Sequence, residues 1–218
     1  MDEKFWLRRW ETGDIGFHKE DPHHYLQRFY NDLHVHPGDQ FFVPLCGKSP
    51  DLAWLHSRGL KVTGIELSRL AVDAFISENH LNGEWTTSAG MPCYLDRGYK
   101  LYCGDFFLLK DHDLGDVRAA YDRGSLVALP PEIRDRYTKH LAWLMPTGSR
   151  TLLISYDYDQ HETHGPPFSV PIDEMTGLFK DSFEIELLVE EEVIRSHQGM
   201  AARGVTKLTE FAVMLTRQ

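Results

Sequence analysis

FFVPLCGKSPDLAWLHSRGLKVTGIELS, residues 41–68, is the stretch whose reading decides the fold. It opens with the apolar run Phe41-Phe42-Val43-Pro44-Leu45, breaks at Cys46-Gly47-Lys48-Ser49, and enters a helix-like segment, Asp51-Leu52-Ala53-Trp54-Leu55. Gly59 supplies a helix stop, and Lys61-Val62-Thr63-Gly64-Ile65-Glu66 forms a second apolar strand closed by an acid. Strand, helix and strand in this order make a β-α-β unit. Ser68 is placed to cap the next helix, expected over about 70–79.

Outward from this unit, strands are expected at 100–103, 117–121, 151–156, about 185–193 and 208–215. Strands separated by helix-length segments argue an α/β domain with a mostly parallel sheet and helices on both faces. The last two strands sit closer together and are expected to form an antiparallel edge. Residues 93–99 read as a small hairpin with its turn at 96–98. The first 38 residues carry Trp6, Trp10, Phe17, Tyr25, Phe29 and Tyr30 among many charges, the pattern of an amphipathic helix plus loop. With no repeat or long linker, one domain is expected over 1–218, an N-terminal extension (1–38) followed by a core (39–218).

The chain is 42% hydrophobic and 26% charged, a globular composition. No apolar run approaches the roughly 20 residues that span a bilayer. Met1-Asp2-Glu3-Lys4-Phe5-Trp6 lacks the basic and apolar regions of a secretory signal, so the expected location is the cytoplasm and no membrane partner is expected. Cys46, Cys93 and Cys103 are an odd set with no close pair, which suits free thiols. A formal net charge of −10 with scattered basic residues disfavours nucleic acid. None of the twelve histidines falls in a HExxH or Cys/His zinc spacing, so no metal is expected. Nothing in the pattern demands a dimer, and a monomer is expected.

Ligands of an open α/β sheet bind beyond the carboxyl ends of its strands. Four such ends are informative. Gly47 lets the backbone turn sharply and a ligand approach, although the loop is neither a Walker A sequence nor a full GxGxxG, and taken alone the residue reads more readily as a plain turn glycine. Glu66 follows by about 20 residues, where an acid accepts ribose hydroxyls; a solvated capping acid is the alternative. Cys103-Gly104-Asp105-Phe106-Phe107 sets a carboxylate beside aromatic rings, suited to an adenine amino group and ring face, or to core packing. Tyr121-Asp122-Arg123-Gly124-Ser125 places a charged pair where an apolar strand stops. Arg123 can orient an anionic group, or pair with Asp122 or another acid.

These residues carry a resemblance. WLRRWETGDIGFH (6–18), the 41–68 stretch, CGDFF (103–107), YDRGSLVALPP (121–131) and SYDYDQHETHGPPFSVP (155–171) together resemble the bacterial thiopurine S-methyltransferase family over nearly the whole chain. The resemblance implies a Rossmann-like class I methyltransferase fold with a mostly parallel seven-stranded sheet and an N-terminal helical lid. It implies S-adenosylmethionine as cofactor, S-adenosylhomocysteine as product, and a thiopurine or other aromatic or heterocyclic thiol as the small-molecule acceptor. Trp10, Leu45, Glu66 and Arg123 are implied to contact the cofactor, with Trp6 and Phe17 on the same lid and Asp105 and Phe106 at the adenine. Phe17, Arg123 and Arg203 are implied to border the acceptor. The segment Gly199-Met200-Ala201-Ala202-Arg203-Gly204 departs from the family's arginine pattern, which leaves acceptor specificity open.

Displacement at a sulfonium needs no protonated leaving group, so catalysis is expected to rest on alignment and desolvation without a dedicated base. Closure of Trp6, Trp10 and Phe17 is expected to limit turnover as much as chemistry does. Other readings keep the cofactor and change the acceptor to a selenium, tellurium or similar soft nucleophile, or make the chain a binding module that senses the cofactor without methyl transfer. A nicotinamide oxidoreductase is disfavoured by the incomplete glycine fingerprint.

Overall fold

The computed structural model describes residues 3–218, which divide into two compact units, one ending at Tyr121 and one spanning Asp122–Gln218. The first begins with α1 (Glu3–Thr12), α2 (His24–Arg28) and a short 3-10 turn. Strand β1 (Gln40–Val43), helix α3 (Pro50–Ser57), strand β2 (Lys61–Glu66) and helix α4 (Arg69–Glu78) follow. These confirm the β-α-β unit. Ser49 caps α3 by accepting the Asp51 N–H at 3.2 Å, Pro50 opens the helix, and Gly59 at φ +85° ends it. Ser68 stands at the N-cap of α4, but its side chain makes no capping bond.

Then come β3 (Glu84–Ser88), β4 (Met91–Asp96), β5 (Tyr99–Cys103), α5 (Asp111–Leu114) and β6 (Val117–Arg123). The strand order in this unit is β3-β4-β5-β2-β1-β6. β1 pairs in parallel with β2 and β6, and β2 with β5, so the apolar runs are buried at the centre. β3, β4 and β5 run antiparallel. Phe41, Phe42, Val62, Ile65 and Leu101, all at most 2% exposed, form the middle of this core.

The second unit holds α6 (Pro131–Leu144), β7 (Arg150–Asp157), α7 (Ile172–Phe179), β8 (Phe183–Glu192), α8 (Gln198–Ala202) and β9 (Thr209–Arg217). β9 lies between β7 and β8 and is antiparallel to both. Its buried apolar run marks it as a central strand. β8 is outermost, with Glu184, Glu186, Glu190, Glu191 and Glu192 exposed and its register shifting between Leu187 and Val189.

The expected mostly parallel seven-stranded sheet is therefore corrected to nine strands of mixed direction among the described residues. The surplus is the β3–β4 hairpin, whose turn is made by Ala89 at φ +54° and Gly90 at φ +72°, the left-handed pair that matches strand twist. The hairpin turn expected at 96–98 joins β4 to β5, with Arg97 and Gly98 also at positive φ. The antiparallel pairing of the last two strands is as expected, and β7 joins them. No helix among the described residues is long and apolar enough to cross a membrane.

Candidate functional site

In the first unit the ends of β1 and β2 converge. Cys46 N–H donates to the Ile65 carbonyl at 2.9 Å, carrying the β1 pairing into the turn that follows. Within that turn Leu45 has φ +44° and Gly47 φ +55°. A left-handed non-glycine residue costs about 1–2 kcal/mol, and such strain persists where the surroundings impose it, often at ligand sites. Gly47 has little room for a side chain, because a Cβ there would lie 3.3 Å from the Trp10 ring.

Glu66 closes β2 and is 7% exposed. Its Oε2 accepts the Gly47 N–H at 2.9 Å and its Oε1 accepts the Ser68 N–H at 2.7 Å. Burial pushes its carboxyl above the usual range, opposed by the amides of Ser68, Gly47 and Leu67. Each carboxylate oxygen keeps a further lone pair. A buried acid held rigidly by backbone amides is thus presented at the strand end as an acceptor for hydroxyl donors. The alternative of a solvated capping acid does not fit its burial. Cys46, also buried, has its thiol held well above the usual range by burial and by the charge of Glu66.

At the end of β5, Asp105 Oδ1 accepts the Phe107 N–H at 2.9 Å and starts a short 3-10 turn. Phe106 is the buried member of the aromatic pair and stacks on Phe42, with ring centroids 6.4 Å apart and planes 14° apart. Phe107 is half-buried. The N-terminal segment brings Trp6 and Trp10 each edge-on to Phe17, with centroids 5.6 Å apart in both cases. Arg9 sits 5.6 Å from the Phe17 ring centre and pairs with Asp14 at 3.0 Å. None of the α1 residues is fully buried. The structure therefore places the Trp10 ring beside Gly47, two residues after Leu45, and one Glu66 oxygen bonds into that same turn while the other accepts from Ser68. The donor set suits a ribosyl cofactor, with a charged acceptor for hydroxyls, a strained turn open to close approach, and aromatic surface beside it.

In the second unit, Asp122 is wholly buried and committed to its own loop. Its Oδ2 accepts the Tyr137 hydroxyl at 2.7 Å, and its Oδ1 accepts the Leu126 and Ser125 N–H groups at 3.1 and 3.3 Å. Pairing of Arg123 with Asp122 is not what the structure shows. Arg123 is half-buried and its side chain makes no hydrogen bond or ion pair among the described residues. Arg203 instead donates to the Pro166 carbonyl at 2.9 Å and to the His164 carbonyl. It holds the segment that precedes Phe168, whose N–H donates to Val127 O at 2.7 Å. Gly165 is needed there, since a Cβ would fall 2.3 Å from the Phe168 ring.

Tyr137 and Arg134 are the residues that sequence reasoning missed. Arg134 is 2% exposed, pairs with Glu174 at 2.5 Å and donates to Leu129 O at 2.9 Å. Arg134, Tyr137, Thr138 and Leu141 are buried at helical spacing along α6, so an arginine on an otherwise inward face was the available signal. Among the described residues no three His, Cys, Asp or Glu side chains converge as metal ligands.

The architecture recurs in solved structures. A SAM-dependent methyltransferase from Anabaena variabilis gives a TM-score of 0.64 at 13% identity, covering 99% of this chain and 95% of that one. The 1,6-didemethyltoxoflavin-N1-methyltransferase of Burkholderia thailandensis, solved with 1,6-didemethyltoxoflavin and S-adenosylhomocysteine, gives 0.62 at 15% identity, with 98% and 87% covered. The fold is thus that of the S-adenosylmethionine-dependent methyltransferases. The sequence profile of the thiopurine S-methyltransferase family matches residues 1–218. Thiopurine S-methyltransferases of Nitrosospira multiformis and Pseudomonas aeruginosa are each 43% identical, covering 99% and 100% of this chain and 98% and 100% of their own lengths. The chain belongs to the thiopurine S-methyltransferase family and is an S-adenosylmethionine-dependent methyltransferase.

Proposed function

We propose that this chain transfers the methyl group of S-adenosylmethionine to the sulfur of thiopurines or other aromatic or heterocyclic thiols. The observation that carries the cofactor assignment is the Glu66 carboxylate, buried and fixed by the Gly47 and Ser68 amides at the end of β2. Full-length similarity to thiopurine S-methyltransferases supports the acceptor class, and the reading takes 1–218 as a single domain with 1–38 as a lid extension of the 39–218 core. Bound S-adenosylmethionine supplies a methyl carbon activated by a sulfonium, and departure as a neutral thioether requires no proton.

In this reading Glu66 accepts the two ribose hydroxyls, while Leu45 and Gly47 present backbone at close range. Asp105 and Phe106 face the adenine. Trp6, Trp10 and Phe17 cover the sulfonium, exclude water and supply aromatic faces that attract a cation. Arg123 is left for the acceptor or for the cofactor carboxylate. Arg203, whose guanidinium already serves two carbonyls, shapes the acceptor side by holding the 164–168 segment. Cys46 stays neutral beside Glu66 and so does not compete for the methyl group. No side chain has to act as a general base, because heteroaromatic thiols supply thiolate themselves. Unbridged Cys46, Cys93 and Cys103 support a cytoplasmic setting.

The test is a methyl-transfer assay that follows S-adenosylhomocysteine with thiopurines, aryl thiols, selenite and tellurite as acceptors. Turnover highest with thiopurines or aryl thiols is expected. Preference for selenite or tellurite would reassign the acceptor, and tight cofactor binding without product from any acceptor would make the chain a sensing module.

A further inference from the structure

We propose that Tyr137 is a positioning residue for methyl transfer, acting through the buried Asp122 to fix the turn that carries Arg123. The inference rests on the assignment of Arg123 to the site. A turn at the end of β6 needs only Gly124, which has φ +81°. The chain adds a fully buried carboxylate, which is costly unless each lone pair is used. Here the Asp122 oxygens receive the Tyr137 hydroxyl at 2.7 Å, the Leu126 N–H at 3.1 Å and the Ser125 N–H at 3.3 Å. Tyr137 is itself wholly buried on α6, so its hydroxyl is aimed at this carboxylate by the helix and not by solvent.

The consequence falls on Arg123. With Asp122 saturated by neutral donors, the adjacent guanidinium has no partner in its own turn. The next residues are fixed as well, since Ala128 N–H donates to Ser125 O at 3.0 Å and Arg134 holds Leu129 O at 2.9 Å. Arg123 is thus a cation without a partner among the described residues, on a rigid mount. Rigid support of this kind governs how well a charged group meets a reacting partner, because small misplacements of an oriented group are expensive in rate.

A double-mutant cycle separates positioning from folding. Wild type, Tyr137→Phe, Arg123→Ala and the double variant are compared for kcat and KM with an aryl thiol at saturating S-adenosylmethionine, alongside thermal melts. Tyr137→Phe removes one hydroxyl and is expected to fold, with kcat/KM lowered about five- to tenfold. In the Arg123→Ala background the same change is expected to cost less than about twofold, because the group it positions is gone. Asp122→Asn, which keeps the shape and loses acceptor capacity, is run through the same cycle and is expected to show the same dependence on Arg123. An equal fold-loss in both backgrounds, or wild-type kcat/KM in folded Tyr137→Phe, overturns the proposal. Wild-type kcat/KM in Arg123→Ala alone would instead remove Arg123 from the site.

Discussion

Replacing Glu66 with Gln tests the cofactor assignment most sharply. Glu66 accepts one backbone N–H on each oxygen, so truncation to Ala would strand the Gly47 and Ser68 donors in a buried place. An unsatisfied buried donor costs about 1–3 kcal/mol, so two of them threaten about 2–6 kcal/mol of a total near 5–15. Gln keeps the volume and one acceptor oxygen, but its amide nitrogen faces a backbone N–H donor to donor. A moderate fall in melting temperature is expected with the fold retained. For the cofactor, the variant removes one charge-assisted acceptor and weakens the other. Hydrogen bonds to a charged group contribute about 1.5–3 kcal/mol each, equivalent to a loss of roughly tenfold to a hundredfold in affinity. Titration calorimetry with S-adenosylmethionine on the folded variant reads this directly. An unchanged Kd in a variant that melts cooperatively would refute the ribose assignment.

Arg123→Ala is expected to melt close to wild type and to lose at least about tenfold in kcat/KM, about 1.4 kcal/mol, with Lys restoring only part because it lacks the planar fork. The Kd for S-adenosylmethionine should fall as pH rises through the raised titration range of Glu66 and then level off. Hydroxyl donors favour the charged Glu66, whose free value is raised by burial, so binding releases a proton in that window; Glu66→Gln should flatten the profile under calorimetry. Methyl transfer should survive dialysis against a strong chelator, since a sulfonium leaving group calls for no Lewis acid; loss of activity that zinc or magnesium restores would overturn this.

The parallel centre was legible because each of its strands is a short apolar run ended by a glycine or an acid, and that pattern depends on local sequence. Glu84–Ser88 was not, since Trp85 is the only large apolar residue in it and its turn is built on Ala89, which carries no sign of a left-handed conformation. The place of β9 between β7 and β8 was readable in retrospect from burial, for 210–215 is a continuous buried run whereas β8 is exposed along most of its length. Glu66 and Phe106 were marked by their strand ends. The partner of Asp122 was hidden because a tyrosine on the inward face of a helix looks like any other core residue until its hydroxyl is placed. Arg203 was visible as a cation, but its attachment to the 164–166 carbonyls depends on a contact 37 to 39 residues away in the chain.

The outermost strand β8 has a bearing on how the protein behaves when crowded. A free strand edge is a template for adding further strands, and a second copy laid against this one would set glutamate rows side by side, where like charges directly opposite destabilise pairing. The register shift at Leu187 to Val189 further spoils the straight ladder such growth requires. The exposed Leu187 on the same strand supplies the apolar contact that would otherwise reward it. Carboxylate repulsion is thus the guard against fibrous self-association.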